Sequence, residues 1–344
     1  MTMASSIAYT SADYSGQFLY QPPTLIGNAI LLALFAILIP VSLALGRRYG
    51  SLLFSLAVAL GLALEVAGYI GRLLLRSNLS SRTDFAVFLA GTTLGPTCIC
   101  GAIFSVMPRI VAIYGEEYHS WRAVWYLFRF PVLAVVSFAL ELAGSVILAV
   151  QDMPTVIDTG VRLLVAGLAV QLVALAIFVM YGILFSIALR TRQHDSDPEF
   201  APIYTSRLFK TFLFMFTIAT TLVIIRTAYR TVQIAEGFQS SIAQAEILFL
   251  VLDGAVMLAA AILLLVFFPA RAFGQFWSET AVLRLSRKPQ REIHLISAPL
   301  PDSRPNQSPN WMSTKSSIST YSPRNANYSA PSPQREMVDS DNLW

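Results

Sequence analysis

The chain has 344 residues, of which 55% are hydrophobic and 13% charged, against roughly 45–50% and about 25% in an ordinary soluble domain. A soluble globule of that make-up would have too little polar surface to cover itself, which points to a membrane protein. The net charge of +4 is small, and the basic residues sit at the edges of apolar blocks, with no aromatic-interleaved stripe to support nucleic-acid binding.

Seven apolar blocks are long enough to cross a bilayer, which takes about 20 helical residues. Hydropathy and flanking charge place them near residues 24 to 45, 51 to 75, 84 to 114, 128 to 150, 161 to 188, 208 to 231 and 245 to 268. The expected fold is all-α, a polytopic membrane protein of seven transmembrane helices (24–268) behind an N-terminal segment (1–23). That segment has no Lys or Arg, so the first span lacks the basic leader of a cleavable signal peptide and should remain as an anchor. The third block exceeds one perpendicular crossing and holds Pro96 and Pro108, which predicts a kinked or tilted helix. Cys98 and Cys100 lie two residues apart in that block, about 200° around a helix, so they cannot bridge each other and a disulfide-built secreted fold is excluded.

Basic residues fix an expected orientation. On one side of the spans fall Arg47, Arg48, Arg122, Arg129, Arg190, Arg192, Arg207, Lys210, Arg271, Arg284, Arg287, Lys288 and Arg291; on the other, only Arg76, Arg82, Arg162 and Arg230. The positive-inside rule then puts the N-terminus outside and the C-terminus in the cytosol. Asn78-Leu79-Ser80, a formal glycosylation acceptor, falls in an outside loop. Beyond the last span, residues 269–292 mix Phe273, Phe276, Trp277 and Leu283 with Arg271, Arg284, Arg287 and Lys288, which reads as a basic amphipathic helix on the inner leaflet or a solvated linker. From 293 to 344 the chain is rich in Ser, Pro, Asn and Gln, the composition of a disordered cytosolic tail.

Ionisable groups inside a bilayer cost about 2.5–3.5 kcal/mol each at mid-membrane, and are functional-site candidates by default. Here they are Glu65 and Arg72 in span two, Glu141 in span four, Arg226 and Arg230 in span six, and Glu246 and Asp253 in span seven, with Gln171 as a neutral companion in span five. Counted from span centres, Glu65, Glu141, Gln171, Arg226 and Asp253 share one layer toward the outer leaflet. They either pair across helices as packing glue or line a hydrated pocket that holds a polar head group or relays protons. Arg109, near the inner end of span three, is expected to snorkel to lipid phosphates. Spans two and four repeat a hexapeptide, Ala63-Leu64-Glu65-Val66-Ala67-Gly68 and Ala139-Leu140-Glu141-Leu142-Ala143-Gly144, from which six residues alone imply no duplication.

Several seven-span classes fall away. The three lysines, Lys210, Lys288 and Lys315, lie outside the last span, so a retinal Schiff base has no partner. His119, His194 and His294 lie in loops or tail, which argues against an intramembrane zinc hydrolase and against any metal site. There is no phosphate-binding Gly-Lys-Ser/Thr loop to power transport by nucleotide hydrolysis. Met107-Pro108-Arg109 and Phe268-Pro269-Ala270 do not resemble the receptor switch motifs. Neither an enzyme nor a cofactor is expected.

Glu65-Val66-Ala67-Gly68-Tyr69-Ile70-Gly71-Arg72, then Pro96 through Arg109, Gly167-Leu168 with Gln171, and Ile225-Arg226-Thr227-Ala228-Tyr229-Arg230 followed by Gly237, Glu246, Asp253 and Met257, occur in the order of one known pattern. In these motifs, across roughly residues 20 to 270, the chain resembles the fungal lipid-translocating exporter family of seven-span proteins, associated with aminocholesterol resistance and export of sphingoid long-chain bases. It departs from that pattern at Phe104 and Phe249, where Tyr is usual, at Gln233, where Glu is usual, and at Glu141, where Asp is usual with Ser and Gln in the places of Gly144 and Leu148. The resemblance implies a plasma-membrane translocator of amphipathic lipids that confers resistance, with membrane lipids or lipid-like molecules as partners. A seven-span receptor or sensor of the same ligands, and a scaffold whose charges only pack helices, remain the alternatives.

Overall fold

The computed structural model describes residues 22–113, 122–150, 153–191, 206–238, 240–274 and 277. The chain divides into units 1–291 and 292–344, and the second lies wholly outside the described residues, as does the expected disordered tail. The described residues form α1 (Leu25–Arg48), α2 (Leu52–Leu75), α3 (Arg82–Ile113), α4 (Arg122–Val150), α5 (Pro154–Thr191) and α6 (Arg207–Ala235), then a single turn, Ser241–Gln244, and a seventh span, Glu246–Phe273. Seven stretches are long and apolar enough to cross a membrane, the number the hydropathy gives.

Neighbours in sequence pack in space: α1 on α2, α2 on α3, α3 on α4, α4 on α5, and α6 between α5 and the seventh span. α3 is the most enclosed helix and α1 the least. Large apolar side chains also face outward, among them Ile26, Leu53, Val135, Val173 and Phe214, as befits a helix bundle solvated by lipid.

Two of the contacts are backbone seams. A Cβ on Gly91 would stand 2.4 Å from Gly68 N, and one on Gly61 would stand 2.6 Å from the Gly95 carbonyl, so α2 and α3 touch main chain to main chain. On α4 and α5 a Cβ on Gly144 would stand 2.7 Å from the Gly160 carbonyl. The repeated hexapeptide therefore marks a repeated packing unit: Glu65 lays its stem on Gly95, and Glu141 lays its own on Gly167.

The structure moves four expectations. α5 begins at Pro154, not near 161, because a proline is at home in a first helical turn and Arg162 pairs with Asp158 one turn earlier at 2.7 Å. The seventh span is not one α-helix: Glu246–Leu248 leads into a π-helical segment, Phe249–Ala255, then Val256–Val266, a break at Phe267, and a short helix Pro269–Phe273. Arg109 does not reach for lipid phosphates. It donates to the Trp277 carbonyl and holds its guanidinium 3.8 Å from the Trp277 ring centroid. Trp277 and Phe273, expected on a leaflet-bound helix, are buried, with Phe273 against Phe209 and Phe212. Within 269–292 the described residues are 269–274 and 277, and the others lie outside them.

Candidate functional site

Pro96 sets up the interior. Proline has no backbone N–H, so the carbonyl four residues earlier, that of Thr92 on α3, loses its helical donor. In a bilayer an orphaned carbonyl must be satisfied by protein, and Arg226 of α6 donates Nη2 to it. That same Nη2 stands 2.8 Å from Asp253 Oδ1, with both side chains fully buried. Neither Asp253 oxygen has an aligned hydrogen-bond donor among the described residues, so charge holds the pair. Arg230, one turn along α6, donates to Thr92 Oγ1 at 2.6 Å and to Gln233 Oε1 at 2.8 Å. Thr92 thus serves two guanidiniums, one through its carbonyl and one through its hydroxyl.

Asp253 comes from the π-helical segment. Such wide turns are rare and gather at functional sites. Beside it, a Cβ on Gly254 would stand 2.5 Å from both Tyr69 Oη and Leu31 Cδ1, so only glycine lets α1 and α2 close on this turn.

Glu65 enters from α2 and is 1% exposed. Among the described residues its Oε1 has no hydrogen-bond partner, and the carboxylate lies within electrostatic reach of Arg226, Asp253 and Arg230. Arg72 shares its helix but not its contacts. The Arg72 guanidinium lies 3.9 Å from the Phe249 ring centroid and 5.0 Å from that of Phe88, with Glu246 at 4.0 Å. Arg230 sits against the same two rings at 5.8 and 5.4 Å, so two cations share two π-faces. Glu246, at the rim, accepts from Thr24 N at 2.6 Å, Thr24 Oγ1 at 3.0 Å and Asn28 Nδ2 at 3.2 Å, which ties the seventh span to α1. A cavity of about 20 Å³ lies among Arg72, Phe88, Arg230 and Gln233, room for one water.

A second cluster forms on the other side of α3. Glu141 Oε2 accepts from Thr97 Oγ1 at 2.6 Å, and Glu141 Oε1 lies 2.9 Å from Ser137 Oγ. Thr97 Oγ1 also lies 3.1 Å from Gln171 Oε1, and Gln171 Nε2 donates to Cys100 Sγ at 2.9 Å. Glu141 is therefore held by neutral donors, whereas Glu65 lies in a field of charges. The single layer expected from the sequence resolves into these two clusters, with Glu65, Arg72, Arg226, Arg230, Glu246 and Asp253 in the first and Glu141 and Gln171 in the second.

Sequence reasoning passed over Thr92, Thr97, Ser137, Asn28 and Thr24, the hydroxyl and amide groups that connect the charges. Their signal was available: polar side chains inside apolar spans, and Thr92 four residues before a proline.

A seven-span helix bundle with a closed, charged interior defines a polytopic membrane protein built around an intramembrane polar site. The family model described as RTA1 like protein matches residues 58–275, and the chain belongs to that family. It is 26% identical over 305 residues to the sphingoid long-chain base transporter RSB1 of Saccharomyces cerevisiae, which covers 79% of each chain. It is 26% identical over 234 residues to Protein RTM1 of the same organism (65% of this chain, 72% of that one), and 24% identical over 202 residues to its Protoporphyrin uptake protein 1 (58% and 63%). No solved structure matches the chain.

Proposed function

We propose that the protein translocates amphipathic lipids with a cationic head group, such as sphingoid bases or amino-sterols, and exports them across the plasma membrane, so that cells resist them. In this reading the N-terminus is outside, the C-terminus is cytosolic, and the protein acts as a carrier without catalysis, metal or cofactor. One observation carries it: Glu65 is buried at 1% exposure, with Oε1 lacking a hydrogen-bond partner among the described residues. An ammonium group offers three donors and no acceptor, which is the complement that this oxygen lacks. Membership of the family and the 26% identity to a protein named as a sphingoid base transporter support the same ligand class.

The cavity beside Arg72 and Arg230 admits about one water, too little for a head group. Entry therefore requires α6 or the seventh span to move and Arg226 to exchange its partners. Glu246, partly exposed at the rim, is the first carboxylate that an ammonium would meet. The test is transport of a fluorescent sphingoid base by purified protein in liposomes. Movement that is lost in Glu65→Gln upholds the proposal; ligand binding without movement makes the protein a sensor instead.

A further inference from the structure

At the opposite end of the spans from Glu246, the seventh span breaks. Phe267 adopts φ −98°, ψ 58°, Phe268 is extended and buried, and the chain restarts as a helix at Pro269. The backbone leaves the helix axis at this point and opens a groove of about 380 Å³ against the first turns of α6, a volume in the range of small-ligand sites.

The groove has two kinds of wall. Leu208, Val266 and Phe267 line it with apolar surface, and Leu208 and Val266 are about half exposed, so it opens sideways to lipid. Arg207 and Arg271 line its polar end. Both are exposed, and neither side chain has an ion pair or hydrogen bond among the described residues. Arg207 starts α6 and Arg271 lies in the last turn of the seventh span, so both lie at one membrane boundary.

We propose that this groove binds one anionic phospholipid, with its phosphate at Arg207 and Arg271 and an acyl chain along Leu208, Val266 and Phe267. Guanidinium forks match phosphate oxygens in pairs, and basic pockets between transmembrane helices at the headgroup level suit acidic lipids. A zwitterionic lipid brings its own cation and gains less from two arginines. The chain's own following segment is a poor occupant, because Arg284, Arg287, Lys288 and Arg291 make it basic. With the orientation proposed above, the groove faces the inner leaflet. The site shares no residue with either polar cluster, so it stands or falls apart from the export reading.

The experiment uses the full-length protein in phosphatidylcholine nanodiscs containing a minor share of phosphatidylserine, with retained lipid read by native mass spectrometry. One phosphatidylserine per chain should survive detergent release. Arg207→Gln and Arg271→Gln should each lower its retention roughly fivefold, about the effect of one basic residue at a charged membrane surface. Thr211→Trp fills the groove without removing charge and should abolish retention. Arg47→Gln with Arg48→Gln, which removes two charges outside the groove, should leave retention unchanged. Soluble glycerol phosphate should not compete. Equal loss from the Arg47/Arg48 pair, indifference to Thr211→Trp, competition by glycerol phosphate, or no preference for phosphatidylserine would each overturn the proposal.

Discussion

Arg226 donates to the backbone carbonyl of Thr92, the carbonyl that Pro96 leaves without a helical donor. A helix defect on α3 is thereby converted into an anchor for a cation on α6, and that cation carries Asp253 with it. Pro96→Ala restores the missing N–H, which then competes with Arg226 for the carbonyl. Since alanine also favours the helix by about 3 kcal/mol over proline, the variant should melt no lower than the parent in detergent while its transport falls. A lower melting temperature would contradict this account.

Asp253→Asn leaves Arg226 buried without its counter-charge, for which the loss is about 3–5 kcal/mol. Expression and thermal stability should drop together. Combining it with Arg226→Gln removes both charges and should recover most of the stability. A double variant as unstable as the single would mean that the pair is not the unit of stability.

The two glutamates should separate by readout. Glu65→Gln breaks no hydrogen bond at Oε1 and keeps the side-chain volume, so surface expression should stay near normal while sphingoid base transport is abolished. Glu141→Gln replaces an oxygen that faces a hydroxyl donor with an amide N–H₂, and should cost about 1–3 kcal/mol in stability. Melting curves and liposome flux measured on both variants decide the matter.

The glycine seams make a steric prediction. A Cβ at Gly91 would sit 2.4 to 2.5 Å from main-chain atoms of Gly68 and Leu64, and backbone cannot yield as a flexible side chain would. Gly91→Ala should destabilise by about 1–3 kcal/mol. Gly101→Ala on the same helix meets nothing within 4 Å and should be neutral or stabilising by up to about 1 kcal/mol.

The orientation proposal is open to a direct test. Asn306-Gln307-Ser308 and Asn327-Tyr328-Ser329 in the tail should carry no glycan, and the tail should resist protease in intact cells. A glycosylated or cleaved tail reverses the proposed topology.

Hydropathy makes the seven spans legible because a bilayer demands an apolar surface all round, and the same demand makes each charge conspicuous. The sequence therefore exposes Glu65, Arg226 and Asp253 as interior residues. It does not expose their pairing. Seven-residue spacing suggests that Glu65 and Arg72 share a face, yet Arg72 turns to Phe249, Phe88 and Glu246. Helical spacing fixes direction around one axis, and which neighbour fills that direction depends on packing angles that no single helix encodes. The π-helical segment is hidden for a related reason: its sequence, Phe249-Leu-Val-Leu-Asp-Gly-Ala255, reads as ordinary helix, and only the assembled structure shows Gly254 of that turn packed against Tyr69 and Leu31.

The backbone contacts of α2 with α3 and of α4 with α5 divide the bundle by how readily its parts separate. Parting two main chains at a glycine seam exposes peptide groups packed too closely for water to replace the lost contact gradually. The boundary of α3 with α6 is bridged instead by Arg226, Arg230 and Thr92, and that of α6 with the seventh span by Arg226 and Asp253, groups that water can solvate one bond at a time. The two glycine-stitched hairpins act as fixed walls, and the wetting of a charged crevice between them and the last two helices is the easy direction of motion.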